Sequence, residues 1–237
     1  MIIIPSSQFF LFDEHLHRLQ YTLKFFKWNF KLTKQYFLSK LNESIQYLDH
    51  NQPYRIKVTV NKKGELRVDV LETEVRPNLM IGLLNPNDQQ TIWKVYIDSA
   101  PTLISPFTSF KTTKRDHYNE SRKRTLNFTE TIPPKDQEVL IYNAAGQIME
   151  GSITNVAFKR KRFDEVNSAF IERWVTPPLS TGCLCGVVRH MLVRKNIVEE
   201  EPILLKDVKV GEEVLLFNSL MGVVKGIICE DWRKNIN

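Results

Sequence analysis

Between Arg55 and Val70 the chain reads RIKVTVNKKGELRVDV. Apolar and polar residues alternate on either side of Asn61-Lys-Lys-Gly64, which carries turn chemistry. The stretch predicts a β-hairpin, with one face of each strand turned to a core. Upstream the period is different. Leu16, Leu19, Leu23 and Phe26 recur at helical spacing within Leu11 to Phe26, and a second helix fits Thr33 to Leu48 with Thr33 as its cap. Helices that precede a hairpin need a shared core, so the chain is read as α+β.

The rest of the chain extends that reading. Residues 73–92 are loop-like, with room for one short strand, and Trp93 to Ile97 is a strand. The Pro-rich stretch SAPTLISPF, Ser99 to Phe107, suggests a crossing between a smaller N-terminal α/β subdomain, 1–105, and a larger C-terminal subdomain, 106–237. In the second part a helix fits from Thr112 to Leu126. Strands fit Glu138 to Tyr142, Ile148 to Met149 and Ile153 to Lys159, with a further helix at Cys185 to Lys195. Late strands fit Val214 to Phe217 and Val223 to Cys229.

Charge and cysteine content narrow the partners. The 237 residues carry a net charge of +6, which favours anionic partners such as nucleic acid, a membrane surface or small acidic metabolites. The excess gathers at Arg115 to Arg124 and in KRKR, Lys159 to Arg162, and solvated surface accounts for most such clusters. In the run SFKTTKRDHYNESRKR, residues 109–124, the tail from Arg122 is read as a solvated basic face. The three cysteines fit a reducing compartment, and Cys183-Leu-Cys185 is too sparse for zinc, so no metal is expected. MIIIPSSQFFLF lacks a basic flank and is read as neither a signal peptide nor a membrane span. The expectation is a cytoplasmic protein without nucleic-acid or membrane partners.

Four stretches could carry chemistry, the first being the run SFKTTKRDHYNESRKR itself. In MEGSITNVAF, Glu150 stands beside a Gly turn at the mouth of an apolar strand; it is either a turn acid or an acid met by something cationic. TPPLSTGCLCGVVRHML feeds a Gly-containing turn into a helix start, a place for a phosphate or another anion. In LLFNSLMG, Asn218-Ser219 breaks an apolar strand, as a simple β-turn also would. An amine nucleophile, an acid facing a ring nitrogen and two phosphate-facing loops are together what pyridoxal 5′-phosphate requires.

FTSFKTTKRDHY, IMEGSITNVAF, TPPLSTGCLCGVVRH and VLLFNSLMG, with FFLFDEHLHRL near the start, resemble segments of the class IV (branched-chain/D-amino-acid aminotransferase-like) pyridoxal-phosphate enzymes. Within that class the chain is most similar to the fungal-type 4-amino-4-deoxychorismate lyases, in the same order from Phe9 to about Ile227. The resemblance implies the class IV fold, a pyridoxal 5′-phosphate cofactor and a homodimer. It implies conversion of 4-amino-4-deoxychorismate to 4-aminobenzoate and pyruvate, a step toward folate. It makes Lys111 the Schiff-base lysine and Glu150 the partner of the pyridine nitrogen. Arg18 resembles the phosphate-binding arginine, Gly186-Val187-Val188 the helix start whose amides reach the phosphate, and Ser219 the hydroxyl that closes the cup. Lys114 is the rival of Lys111, and Arg115 and Arg55 are candidates for the substrate carboxylates. Only MIIIPSSQ precedes FFLFDEH, where the family carries a longer segment. Two other readings remain: a branched-chain or D-amino-acid aminotransferase using the same Lys111 and Glu150, and a non-catalytic binding protein on the same fold.

Overall fold

The computed structural model describes residues 2–4, 8–49, 51–75, 78–84, 91–126, 136–164 and 168–230. They form two compact units, Met1–Asn78 and Leu79–Asn237.

In the N-terminal unit, β1 (Ile2–Ile4) and β2 (Gln8–Phe9) precede two helices, α1 (Phe12–Phe25) and α2 (Lys34–Ile45), and the expected hairpin follows as β3 (Tyr54–Val60) and β4 (Leu66–Glu72). The sheet order is β2-β1-β3-β4. The turn closes because Asn61 Oδ1 accepts from the Lys63 and Glu65 amides at 3.0 Å, and Gly64 takes the left-handed conformation, φ 83°. Thr33 caps α2, its hydroxyl accepting from the Tyr36 amide at 3.2 Å, worth about 1 kcal/mol. Leu16 and Leu23 of α1, Phe37 and Leu41 of α2, and Tyr54 and Ile56 of β3 share one core.

The C-terminal unit is built on an eight-stranded mixed sheet. Its elements are β5 (Trp93–Ile97), α3 (Pro106–Ser109), α4 (Asp116–Thr125), β6 (Gln137–Tyr142), β7 (Ile148–Gly151), β8 (Asn155–Asp164), β9 (Ala169–Thr176), α5 (Val187–Arg194), β10 (Val198–Glu200), β11 (Glu213–Asn218) and β12 (Gly222–Ile228). The strand order is β10-β9-β8-β11-β12-β5-β6-β7. One face is packed by Val95, Leu140, Ile148, Val156, Phe158 and their neighbours. Helix α5 packs on β10 and β11.

The division falls at 78/79 rather than at 105. Strand β5 hydrogen-bonds to β12 on one side and to β6 on the other, so residues before the Pro-rich stretch belong to the large sheet. The segment after the division is strapped down as well. The Val223 amide donates to Leu79 O at 2.7 Å, and a Cβ on Gly222, at φ 71°, would stand 2.0 Å from that oxygen. Among the described residues no helix is long and apolar enough to cross a membrane.

Candidate active site around Glu150

Glu150 occupies the third position of β7 and is 3% exposed. A carboxylate in that position needs donors, and it has three. Tyr118 Oη donates to Oε1 at 2.5 Å, the Leu184 amide donates to Oε1 at 3.1 Å, and Asn155 Nδ2 donates to Oε2 at 3.0 Å. Burial nevertheless dominates and pushes the acid up to about 7, while the Tyr118 and Leu184 hydrogen bonds and the charges of Lys111 and Arg115 pull it down.

Lys111 lies between α3 and α4. The approach is stiff: Ser105 and Thr108 cap α3 reciprocally behind Pro106, and the Phe110 amide closes on Pro106 O at 2.9 Å. Lys111 itself is exposed, and its charge acts on Glu150. Lys114, its rival, instead sets its ammonium 5.0 Å from the Phe107 ring centroid. Arg115 is spent on the protein: Nη2 donates to Ser152 O at 2.7 Å and the guanidinium lies 4.7 Å from the Tyr118 ring centroid.

The turn Ser152-Ile153-Thr154 after Glu150 is where the separate loops meet. Beneath it lies Glu138, fully buried on β6. Ser152 Oγ donates to Glu138 at 2.6 Å, Thr154 Oγ1 at 2.7 Å and the Ile153 amide at 3.2 Å. Arg122 adds Nη1 contacts to Ser152 Oγ at 3.0 Å and Gln137 O at 3.2 Å. Asn218 Nδ2 donates to Ile153 O at 3.1 Å, while Asn218 Oδ1 accepts from the Leu220 and Met221 amides; this ties the Ser219 turn to the same place.

Asn155 joins the third loop. Its Nδ2 also donates to Leu184 O at 2.9 Å, and its Oδ1 fills the space where a Cβ on Gly186 would stand, 2.0 Å away. Gly186 is the N-cap of α5 and gives no side-chain cap, so the amides of Val187 and Val188 begin the helix without one. Glu150, Lys111, the Gly186–Val188 helix start and the Ser219 turn therefore form one constellation in the C-terminal unit. Arg18 and Arg55 belong to the N-terminal unit. Arg18 Nη2 lies 3.4 Å from His15 Nδ1, and Arg55 is exposed on β3.

The expected solvated tail of the basic run is corrected. Arg122 is buried against Glu138, and Arg124 makes a two-point pair with buried Asp98, at 2.8 and 2.6 Å. Lys123 alone of the three faces solvent without such a partner among the described residues. Three of the four KRKR residues are paired too: Lys159 faces Glu172 and Glu213, Arg160 pairs with Glu212, and Arg162 pairs with Glu199 and Glu201. Tyr118, Asn155 and Glu138 escaped the sequence reading, and Asn218 was named there only as half of the pair that breaks the strand. The readable signal was the spacing Tyr118, Arg122, Thr125, a buried helical stripe written in polar residues.

The model of the amino-transferase class IV family matches residues 2–226. The chain belongs to that family. Among its class IV relatives, the aminodeoxychorismate lyase of Saccharomyces cerevisiae is 35% identical, over 96% of this chain and 70% of the yeast protein. In fold, the chain is similar to the 4-amino-4-deoxychorismate lyase of Pseudomonas aeruginosa (TM-score 0.64, 15% identity, 98% of this chain and 83% of that one). It is also similar to the branched-chain aminotransferase of Thermoproteus uzoniensis (TM-score 0.69, 16% identity, 97% and 76%). The class IV fold expected from the motifs is the fold observed.

Proposed function

We propose that the protein is a pyridoxal-phosphate-dependent 4-amino-4-deoxychorismate lyase that releases 4-aminobenzoate and pyruvate. The observation that carries the reading is Glu150: a buried acid raised by burial and acted on by the charge of Lys111, in a chain 35% identical to the yeast lyase over 96% of its length.

The donor set suits pyridoxal 5′-phosphate. Glu150 is a buried carboxylate that gains from a cationic partner, which a protonated ring nitrogen provides. The helix start at Gly186, where the N-cap gives no side-chain cap and the absent Cβ leaves room for Asn155 Oδ1, offers amides and a dipole to a phosphate. Ser219 adds a hydroxyl on the turn that Asn218 braces. For Arg18 the role rests on the family pattern.

When bound, the cofactor supplies an electrophilic carbon for the substrate amine and a ring that withdraws electrons from the bonds being broken. Lys111 Nζ would hold the cofactor, and its free amine would be the base that takes the proton from the carbon bearing the substrate amine. The same amine can deliver a proton to the methylene of the departing enolpyruvyl group. Glu150 holds a proton on the ring nitrogen. The Val187 and Val188 amides and Ser219 orient the phosphate, so that the reacting carbon stays within reach of Lys111. A homodimer in the cytoplasm completes the proposal.

The deciding experiment combines two readouts. Borohydride reduction and mass spectrometry are expected to place a cofactor adduct on Lys111; an adduct on Lys114 refutes the assignment. Assay of 4-aminobenzoate and pyruvate from 4-amino-4-deoxychorismate is expected to show both products in equal amounts. Amino-group transfer to a keto acid without pyruvate release would replace the lyase by an aminotransferase.

A further inference from the structure

We propose that Tyr118 is the positioning residue of this site: its phenol occupies Glu150 Oε1 and thereby leaves Oε2 as the oxygen that meets the cofactor's ring nitrogen. The proposal rests on the reading of Glu150 as that nitrogen's partner.

A carboxylate offers about four lone-pair positions, two on each oxygen. On Oε1 both are taken, by Tyr118 Oη at 2.5 Å and by the Leu184 amide at 3.1 Å. On Oε2 one is taken, by Asn155 Nδ2 at 3.0 Å. Among the described residues the three donors therefore leave one position, on Oε2, for an incoming N–H. Two of them come from groups that cannot turn into acceptors, a backbone amide and an amide nitrogen. Tyr118 is the one whose role depends on staying protonated.

Everything around Tyr118 keeps it so. It is 5% exposed and packs with Ile141, Met149 and Cys183. Burial first, then the negative charge of Glu150 and the hydrogen bond to it, push the phenol far above its ordinary value, with Cys183 adding and Arg115 opposing. The phenol thus keeps its proton while Glu150 ionises, and it donates to the carboxylate. The other nearby acceptor, Thr108 O at 3.5 Å, is too long to compete for its single proton. Two neighbours contact the ring: the Arg115 guanidinium, 4.7 Å from its centroid, and the tilted His117 ring, 4.0 Å between centroids. Arg115 is itself fixed to Ser152 O. Because Thr108 lies in the short helix that leads to Lys111, the same side chain spaces the lysine segment from the acid.

The ionisable groups acting on Glu150 are Tyr118 from α4, Lys111 and Arg115 from the segment before it; Cys183, from the loop before α5, acts on Tyr118. Of these, Tyr118 is the one that donates directly to the carboxylate.

The test is Tyr118→Phe, which keeps the ring and deletes the O–H. In the cofactor-free protein, carbon-13 NMR of labelled Glu carboxyl groups, with Glu150 assigned by its loss in Glu150→Gln, is expected to show Glu150 titrating near pH 7 in the wild type. In the variant the midpoint is expected to rise by about one pH unit or more, the size of one lost hydrogen bond to a charged group. With pyridoxal 5′-phosphate added, the variant is expected to bind at least about tenfold more weakly. The pH at which the bound cofactor's absorption changes is expected to move as well. An unmoved Glu150 midpoint overturns the proposal, as does weaker binding with both titrations unchanged, which would be a merely structural effect. Should the wild type take up no cofactor and give no adduct on Lys111, the functional reading fails instead. The titration in the cofactor-free protein then still decides whether Tyr118 governs Glu150.

Discussion

Replacing Glu150 by Gln is expected to flatten the pH dependence of folding in the cofactor-free protein. The acid rises from its ordinary 4.5 to about 7 because burial outweighs its three donors and the Lys111 charge. A carboxyl raised on folding binds more protons folded than unfolded between those two values. Its contribution to stability is therefore fully present below pH 4.5 and is lost as pH rises through 7. At about 1.4 kcal/mol per pH unit, the gap amounts to about 3 kcal/mol. Urea unfolding of wild type and Glu150→Gln at intervals from pH 4.5 to 8.5 isolates it, since groups that do not feel the Glu150 charge cancel in the difference. The Gln amide sets an NH2 against Asn155 Nδ2 and costs something, but that cost does not vary with pH. The wild type is expected to lose about 3 kcal/mol relative to the variant across the range. Parallel curves would refute the argument that burial governs this acid. With saturating pyridoxal 5′-phosphate the wild-type slope is expected to shrink, because the ring nitrogen then meets the charge.

Lys111→Ala is expected to abolish both the borohydride-trapped adduct and pyruvate release while leaving the thermal midpoint nearly unchanged, since Lys111 is exposed; Lys114→Ala should retain the adduct. Glu138→Ala removes the acceptor from Ser152, Ile153 and Thr154 and strands buried Arg122, so chemical denaturation should show a loss of about 3–5 kcal/mol. Gly186→Ala places a methyl 2.0 Å from Asn155 Oδ1, and a spectral titration should find cofactor binding weakened by about tenfold or more. Gly222→Ala combines a left-handed backbone with a clash against Leu79 O, and calorimetry should record a stability loss of about 2 kcal/mol or more.

Much of the fold was legible because period and punctuation agree. The hairpin at Tyr54–Glu72 and the helix capped by Thr33 stand where alternation and capping put them. Strand β9 was missed: AFIERWVT exposes most of its first six residues, so its alternation carries little apolar signal. The boundary at 105 followed proline content, yet sheet membership is decided by hydrogen bonds to β12 and β6, strands far away in sequence. At the site, motif residues could be named from their order, whereas their supports could not. Arg122 and Arg124 look like surface charge in a run of basic residues. Only the buried acids Glu138, on β6, and Asp98, just after β5, show why they are there.

The turn Ser152–Thr154 has a consequence for how this protein can change. Arg115, Asn218 and Glu138 all end on three consecutive residues, so the loops bearing Lys111, Ser219 and Glu150 share one point of reference. A substitution that shifts the turn moves all of them together, and paired substitutions on different loops will not add. Variation is free to accumulate at the distal end of the β8–β9 hairpin, where Phe163 and Phe170 are exposed and meet edge to face, away from the hydrogen bonds that hold the site.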